Sequence, residues 1–403
     1  MKNKDFIIVS LNPWYAPLGS TSKHVATELA KQNRVLYINP PLDRKTLITR
    51  RNDPVLQRQL NVIKGKEDGL VEIMPNFWNY YPDTVLESVN WIPNTKVFSW
   101  FNRLNNKRMA ASILSAVKKL GFSAFYLIND KDLFRGFYLK ELLQPEIYLY
   151  YDRDYILGVD YWRRHGAALE PLLAEKSDLI VTHSDHLMSL LYPYNRNIYN
   201  VGSGIDIELF DAGRNYPVPE EMRSLKAPVI GYVGALTAAR LDIEAFVRIA
   251  KERPGWTLAL VGPEDEVFRH SELHQLGNVV FLGRKKMEEI PAYIGSMDVC
   301  INPQVINDIT IGNYPLKIDE YLAMGKPVVA TRTIGMRLFE DYVYLAEPAG
   351  DYVALIEKAL QENGEGERKK RISFARSHSW KEVLNNIYDA IEMTQMLQNG
   401  SGN

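Results

Sequence analysis

The sequence predicts an α/β protein with two doubly wound domains in tandem. Short apolar runs alternate with segments of helical period in both halves of the 403 residues. This pattern is typical of a parallel sheet with helices on both faces. Near the middle, at 207–228, a stretch rich in proline and charge interrupts the alternation, which then starts again. Because crossovers between parallel strands are right-handed, each half is expected to be a Rossmann-like domain.

The first half supplies the elements of an N-terminal domain, to which we assign residues 1–208. Its expected strands lie at 6–11, 35–39, 70–74, 124–128, 147–151, 179–182 and 198–201. Its expected helices lie at 22–32, 105–120, 132–143, 166–176 and 185–191.

After a linker at 209–228, we assign 229–377 to a C-terminal domain. Its expected strands lie at 229–233, 257–261, 279–282, 299–302, 328–331 and 343–346. Its expected helices lie at 241–252, 286–295, 316–324, 351–362 and 366–377. A last helix at about 380–398 belongs to a terminal segment, 378–403, that can dock on either domain.

Composition narrows the class of protein. A formal net charge of −1 argues against a nucleic-acid binder, which usually carries a basic excess. The single cysteine, Cys300, excludes an intramolecular disulfide and fits a reducing compartment. The polar start of the chain and the lack of an apolar run near 18 residues lead us to expect a cytoplasmic protein. Carboxylates and histidines show no metal-ligand spacing, so no metal is expected.

The stretch 314–331 is the most informative part of the sequence. It predicts a short helix followed by a buried strand, with Pro315 in the first turn and Gly325 at the C-terminal cap. Lys317 and Glu320 are three residues apart and share one face of this helix. A lysine beside free backbone N–H groups suits an anion, and a nearby carboxylate suits a sugar diol. The pair therefore indicates a nucleoside diphosphate, with a surface salt bridge as the alternative.

Other strand ends of the second half point to the same edge of the sheet. Gly231 and Gly234 end the first strand where the backbone must approach something closely. Arg240, near the next helix, is placed to reach a diphosphate, although a surface arginine is the alternative. Ligands of open parallel sheets bind at the carboxyl ends of strands, so these loops are expected to form one rim.

The loop after the first strand, 11–24, lacks the GxGxxG pattern, which weakens a nicotinamide or flavin interpretation. Gly19, Ser20 and Thr21 nevertheless place small residues and free amides at a helix start, where an acceptor or a phosphate can approach. The alternative is that Ser20 or Ser22 only caps the helix.

With these motifs in place, the chain resembles nucleotide-sugar-dependent glycosyltransferases of the GT-B fold. The resemblance is to the family-4 or group 1 enzymes, with some likeness to inverting glucuronosyltransferase-type members. It is strongest at 231–234, 256–262, 278–283 and 315–331, and in His378-Ser379-Trp380. The segment 201–210 is similar to the Asn-Gly-Val-Asp segment with which such enzymes leave their N-terminal domain.

The resemblance implies two Rossmann-like domains that face each other across a cleft, with the final helix crossing back to the N-terminal domain. It implies transfer of a hexose-type sugar from a nucleoside-diphosphate sugar to a glycan or lipid-linked acceptor, in cell-surface polysaccharide synthesis. No cofactor other than the donor, and no metal, is implied. A nucleotide-sugar epimerase of the same fold and a nicotinamide-dependent oxidoreductase remain the alternatives.

The resemblance also implies roles for donor-side residues. Glu320 matches the family glutamate that binds the ribose hydroxyls, and Lys317 and Arg240 match basic positions that face the diphosphate. Many retaining members carry a second glutamate eight residues earlier, and that position is a glycine here, Gly312. The remaining donor-side candidates lie in loops that flank the base or near this gap: Glu264, Arg284, Asp308, Thr310, Asn313 and Tyr314.

An inverting enzyme of this fold needs a general base in its N-terminal domain to deprotonate the acceptor hydroxyl. Asp152 and Asp154 end a predicted strand at the proper rim and are the leading candidates. The alternative is that Asp152 is a strand-end turn residue and Asp154 a helix cap. His24 and His183 are weaker candidates.

The segment 90–108 suggests contact with a membrane. It mixes Trp91 and Trp100 with basic residues such as Lys96 and Arg103. This combination suits an anionic bilayer and a lipid-diphosphate acceptor, which would place the protein at the inner face of the membrane. The alternative is an amphipathic helix that packs its tryptophans inward.

Overall fold

The computed structural model describes residues 1–16, 20–49, 53–347 and 350–400. The chain divides into two compact units. Unit 1 contains 1–202 and 383–403, and unit 2 contains 203–382. The described residues contain no helix with both the length and the hydropathy that crossing a bilayer requires.

Unit 1 is built from alternating strands and helices. Its strands are β1 Asp5–Ser10, β2 Arg34–Ile38, β3 Leu42–Asp43, β4 Leu70–Met74, β5 Phe77–Tyr80, β6 Val85–Leu86, β7 Phe125–Asp130, β8 Ile147–Asp152, β9 Leu179–Thr182 and β10 Ile198–Asn200. Its helices are α1 Thr21–Ala30, α2 Arg44–Thr49, α3 Pro54–Ile63, α4 Thr95–Leu120, α5 Leu139–Leu143, α6 Asp160–Lys176 and α7 Asp185–Leu191, with a 3-10 turn at Ile156–Gly158.

The main sheet of unit 1 has the order β10-β9-β8-β7-β1-β2-β5-β4. Its pairs are parallel except for β4, which runs antiparallel to β5 at the edge. The central strands β1, β7 and β8 are buried along their full length. Their carboxyl ends bring Ser10, Asp130 and Asp152 to one edge of the sheet.

Unit 2 repeats the architecture on a smaller scale. Its strands are β11 Val229–Val233, β12 Thr257–Val261, β13 Val279–Gly283, β14 Val299–Asn302, β15 Val328–Thr331 and β16 Tyr344–Ala346. Its helices are α8 Glu220–Arg223, α9 Ile243–Glu252, α10 Glu266–Arg269, α11 Ile290–Gly295, α12 Leu316–Ala323, α13 Tyr352–Gln361 and α14 Glu365–Arg376. The sheet order is β13-β12-β11-β14-β15-β16, and its pairs are parallel.

The last helix, α15 Trp380–Gly400, belongs to unit 1 from Val383 onward. Its polar side chains hold it there. Asn33 Nδ2 donates to the Tyr388 hydroxyl over 2.7 Å, and Asn197 Nδ2 donates to Thr394 Oγ1 over 2.8 Å.

The predicted fold class of two Rossmann-like α/β domains is confirmed, with local differences. The expected helix at 132–143 is helical only in α5, because Asp132 accepts backbone N–H bonds from Phe134 and Arg135 and holds a turn there. Helix α4 begins earlier than expected, because the Asn94 side chain caps its first turn. Strand β5, which lies between β2 and the edge strand β4, was not predicted, and neither were the short strands β3 and β6 or the helices α2, α3, α8 and α10. The residues expected to form a linker, 209–228, lie within unit 2.

Two glycines let the first two loops of unit 2 pass each other closely. Gly262, after β12, has φ +148°, and a Cβ there would lie 1.9 Å from the carbonyl oxygen of Gly234. Gly234, after β11, has φ +146°. L-residues rarely adopt this backbone conformation, so glycine is required at both strand ends.

We expect Gly262→Ala to destabilise the protein by about 3 kcal/mol or more, because strain and a backbone clash add together. Gly255→Ala is the matched control, since a Cβ at Gly255 meets nothing within 4 Å. The control should change the free energy of unfolding by no more than about 0.5 kcal/mol. Urea unfolding followed by circular dichroism measures both, and equal stabilities of the two variants would contradict the close approach of the loops.

Candidate functional site

The first turn of α12 places a lysine at the carboxyl end of β11. Lys317 Nζ donates to the hydroxyl of Tyr232 and lies 4.1 Å from the centroid of its ring. A Cβ at Gly234 would lie 2.7 Å from Nζ and 2.8 Å from the Tyr232 hydroxyl oxygen. Gly234 therefore provides the space for a half-buried ammonium group at the first turn of α12.

Burial shifts the pKa values of Lys317 and Glu320 more than the charge of either residue shifts the pKa of the other. Burial lowers the pKa of Lys317 to about 7; the charge of Glu320 opposes this shift and that of Arg240 adds to it. Burial raises the pKa of Glu320 to about 7, with Lys317 opposing and Asp319 adding to the shift. A lysine with a lowered pKa gains from a bound anion, and a half-buried carboxylate gains from a hydrogen-bond donor. The pair can thus bind an anion and a diol side by side.

The flanking loops carry the other predicted polar side chains. Arg240 is exposed in a turn whose carbonyl accepts from Val305 N over 3.1 Å. Glu264 is half-buried and lies 2.7 Å from His274 Nε2, and the His274 ring stacks on Phe281 with centroids 3.9 Å apart. Arg284 is exposed after β13. The structure thus groups Arg240 with Lys317 and gives Glu264 a fixed orientation.

The loop before α12 contains side chains with different environments. Asp308 is exposed and Asn313 is half-buried. Thr310 is buried and accepts a hydrogen bond from Asn307 N over 3.1 Å. Tyr314 is buried, and its hydroxyl donates to Asp319. Tyr314 therefore supports the helix through this bond, whereas Asp308 and Asn313 are reachable from solvent.

A buried carboxylate on the opposite face of α12 was missed from the sequence. Asp319 is fully buried, and its Oδ1 lies 2.8 Å from His378 Nδ1. Burial raises the pKa of Asp319, and the hydrogen bonds from His378 and Tyr314 oppose this rise. The His378 carbonyl accepts from Ile205 N over 2.9 Å. Asp319 thus ties α12 to the segment His378-Ser379-Trp380, which the sequence singled out only by resemblance.

In unit 1, Asp152 lies in a buried ionic cluster. Its side chain is 2% exposed and pairs with Lys131, which also contacts Glu170 Oε1 over 2.6 Å. Tyr150 donates to the same oxygen over 2.8 Å. Burial raises the pKa of Asp152; Lys131 opposes the rise and Glu170 adds to it. Two carboxylates that share one ammonium make Asp152 part of an internal network.

Asp154 has a different environment although it is only two residues away. Its side chain is 40% exposed and accepts from Arg153 Nη1 over 2.8 Å. Arg153 Nε donates over 2.6 Å to Asp130, which is fully buried, and Ser10 Oγ donates to Asp130 over 2.6 Å. Asp154 is therefore an accessible carboxylate held in place by a buried arginine–carboxylate pair.

The predicted residues of the first loop lie beside this network. Ser20 precedes α1, and its hydroxyl is 3.1 Å from that of Ser22, which is 3.0 Å from that of Ser10. Thr21 is buried and His24 half-buried on α1. Ser20 is the N-cap residue of α1, as the alternative interpretation has it, although its side chain makes no hydrogen bond at this cap. Gly19 lies outside the described residues.

His183 is also placed at this edge of the sheet. It is mostly buried, its Nε2 contacts the Arg153 carbonyl, and burial lowers its pKa to about 4. An imidazole with this pKa is neutral at physiological pH, so a role as a proton acceptor near neutrality is unfavourable.

Tyr232 and the pair Asp130–Arg153 are further residues that sequence reasoning missed. Each lies at or just after a strand end, and this position is the one signal that the sequence offered. Their partners are remote in the chain: Tyr232 contacts Lys317, and Arg153 contacts Asp130. Within the described ranges, no cluster of histidine, cysteine and carboxylate side chains has a geometry that could hold a metal ion.

Part of the chain matches a known protein family. Residues 227–362, which include β11 to β16 and the Lys317 site, match the family model described as "Glycosyl transferases group 1". A relative from Bacillus subtilis (strain 168), provisionally assigned as the teichuronic acid biosynthesis glycosyltransferase TuaH, is 29% identical over 234 residues. That alignment covers 55% of this chain and 58% of the relative.

Solved structures show the same fold over the length of the chain. A sucrose-phosphate synthase from Thermosynechococcus elongatus superposes with a TM-score of 0.66 at 17% identity and covers 100% of both chains. Anabaena HepE in complex with UDP superposes with a TM-score of 0.64 at 16% identity, over 97% of this chain and 100% of the other. The predicted resemblance to group 1, GT-B-fold proteins is confirmed.

Proposed function

We propose that this protein, whose C-terminal unit belongs to the group 1 glycosyltransferases, transfers a sugar from a nucleoside-diphosphate sugar to a saccharide or lipid-linked acceptor. The proposal rests chiefly on one observation: the half-buried Lys317 ammonium stands beside Tyr232, in the space left by Gly234, with Glu320 on the same face of α12. Lys317 would bind the diphosphate and Glu320 the ribose hydroxyls. The relation to TuaH supports a product of cell-surface polysaccharide type.

Arg240 would add a second positive charge beside the leaving diphosphate. Glu264 and Arg284 end neighbouring strands and are the candidates for contact with the base. Asp308 and Asn313 are the reachable polar side chains near Gly312, so they are candidates for contact with the donor sugar.

We propose Asp154, rather than Asp152, as the general base. In an inverting transfer, the acceptor oxygen forms a bond to the anomeric carbon as the bond to the diphosphate oxygen breaks, and the acceptor proton passes to the base. Asp154 is accessible and held by Arg153, whereas Asp152 is enclosed with Lys131. Ser20, Thr21 and His24 lie on the neighbouring segment and are candidates for contact with the acceptor.

The donor class is tested by a thermal-shift and hydrolysis screen against UDP-, GDP-, ADP- and dTDP-sugars. A true donor at 100 times its Kd should stabilise the protein by about 2.7 kcal/mol. Lys317→Ala and Glu320→Ala should each weaken binding of that nucleoside diphosphate by about tenfold or more, since each removes a charged hydrogen-bond partner. Lys369→Ala, an exposed lysine on α14, is the matched control. Normal diphosphate binding by both site variants in calorimetry would refute the donor site.

The lowered pKa of Lys317 predicts that diphosphate binding depends on pH. In the free protein Lys317 loses its proton above about 7, whereas a bound diphosphate favours the protonated form. Binding above pH 7 must therefore take up a proton, and the affinity should fall by up to about tenfold for each further pH unit. Calorimetry from about pH 6.5 to about pH 8.5 measures this dependence of the affinity on pH. Lys317→Arg should flatten the dependence, because arginine stays charged; an unchanged slope would contradict the assignment.

Substitution of each residue distinguishes the role of Asp154 from that of Asp152. Asp154→Asn should lower kcat by about 10²- to 10⁴-fold, the usual contribution of a general base, while donor binding and unfolding stay unchanged. Asp152→Asn should lower stability, because it disrupts a buried ionic cluster. Asp160→Asn, an exposed carboxylate on α6, serves as the control. If Asp154→Asn keeps full kcat, another group is the base.

We further propose that the acceptor is presented at the inner face of a membrane, where the protein binds peripherally. This follows from the lipid-linked acceptor class and from the basic, aromatic segment of unit 1.

A further inference from the structure

One face of helix α4 combines exposed aromatic and basic side chains. Phe98 is fully buried and packs inward, whereas Trp100 is 66% exposed. The expectation that the tryptophans pack inward is thus wrong for Trp100, and also for Trp91, which is 71% exposed. We call this face, with its neighbours, the α4 surface; it comprises Trp91, Lys96, Val97, Trp100, Arg103, Lys107 and Tyr161.

The α4 surface carries a positive charge that its own helix does not neutralise. The sequence of α4, 95–120, contains six lysines and arginines and lacks aspartate and glutamate. Arg108 pairs with Glu87 and Lys119 with Asp68. In the part of the chain that the structure describes, Lys96 and Lys107 take part in no ion pair.

Three basic side chains and one tryptophan lie along one stripe of α4. Lys96, Trp100, Arg103 and Lys107 are four, three and four residues apart, a spacing that puts them on one side of an α-helix. The nearby carboxylate of Asp160 pairs with Arg163. The stripe therefore presents cations next to tryptophan without an opposing acidic group on the same helix.

The α4 surface is held rigidly by polar contacts at its start. The buried His165 of α6 has Nδ1 3.2 Å from Thr95 Oγ1 and Nε2 2.9 Å from the Ile92 carbonyl. Its ring stacks on Phe98 with centroids 3.9 Å apart. Asn90 Nδ2 donates to the Tyr161 carbonyl over 2.8 Å, which fixes the loop of Trp91 against α6. The exposed rings thus project from a packed junction.

Topology places this junction at the ligand-binding edge of the unit 1 sheet. Helix α4 precedes the parallel strand β7 and runs back toward its start, so the first turns of α4 lie near the carboxyl ends of the strands. The start of α6 likewise follows the end of β8. Asp130 and Asp154 are at the same edge.

We propose that the α4 surface docks on an anionic phospholipid bilayer. Lysines and arginines are attracted to the negative headgroups, and tryptophan and tyrosine rings prefer the boundary between headgroups and acyl chains. The proposal deepens the proposed function, since it names the surface that brings unit 1 to a lipid-linked acceptor. Only the link to a lipid-linked acceptor rests on that function, because binding to lipid vesicles is measured without a sugar donor.

The test is co-sedimentation of the full chain with vesicles of phosphatidylcholine alone or mixed with phosphatidylglycerol. Binding is expected only to the mixed vesicles and should weaken at high salt. Each cation near an anionic surface contributes about fivefold in affinity. The variant Lys96→Glu/Trp100→Ser/Arg103→Glu should therefore bind the mixed vesicles on the order of a hundredfold more weakly.

The matched control is Lys64→Glu/Lys66→Glu/Met396→Ser, which makes the same charge change and removes another exposed apolar side chain of unit 1. Circular dichroism and unfolding curves verify that both variants fold. Equal loss in the control, or equal binding to both vesicle types, would overturn the proposal. So would a dimer in light scattering that the α4 variant dissociates, with no vesicle binding by the wild type.

Hydrolysis of the sugar donor is measured in parallel on the same proteins. Donor hydrolysis without vesicle binding would refute the α4 surface and leave the transferase proposal standing. Vesicle binding without turnover of a sugar donor would refute the transferase proposal and leave the α4 surface standing.

Discussion

The ammonium of Lys317 occupies the space that a side chain at position 234 would fill, and the packing at the carboxyl edge of the unit 2 sheet depends on this fit. Gly262 passes the carbonyl oxygen of Gly234 closely, and Gly234 in turn borders the Lys317 ammonium, so two strand ends and one helix start pack together. Tyr232 lies under the ammonium and gives it a hydrogen-bond partner and a π-face without a negative charge. The cation is thus positioned before a ligand arrives, and it forms no ion pair with any residue that the structure describes.

Contacts of Asp319, on the face of α12 away from Lys317 and Glu320, fix the orientation of this helix. Asp319 is anchored by Tyr314 and His378, while Lys317 and Glu320 face the strand ends. A buried carboxylate with two hydrogen-bond partners is costly to displace, because losing one partner leaves buried charge unsatisfied. The residues that would bind a donor are therefore held by residues that would not touch it.

In unit 1, by contrast, the charged side chains at the strand ends are paired with one another. Lys131, Asp152 and Glu170 form an enclosed cluster, and Asp130 with Arg153 forms a second one at the neighbouring strand end. Such pairs are a weak source of stability but fix geometry, since each charge requires its partner. Asp154 is the accessible carboxylate next to both. On the outside of the same unit, Lys96 and Lys107 of α4 form no ion pair with any residue that the structure describes, which suits a surface whose partner is an anionic bilayer.

The sequence alone predicted the alternation of the main strands and helices in both units, because buried parallel strands appear as short apolar runs and their helices keep a regular period. The sequence also predicted that Lys317 and Glu320 lie in one short helix beside Pro315, as α12 confirms. It did not separate Asp152 from Asp154, and it missed the Asp319–His378 contact. These distinctions depend on partners that are 21 and 59 residues away in the chain. Local patterns report propensity and periodicity, whereas burial and pairing of charges arise only when remote strand ends meet in the tertiary structure.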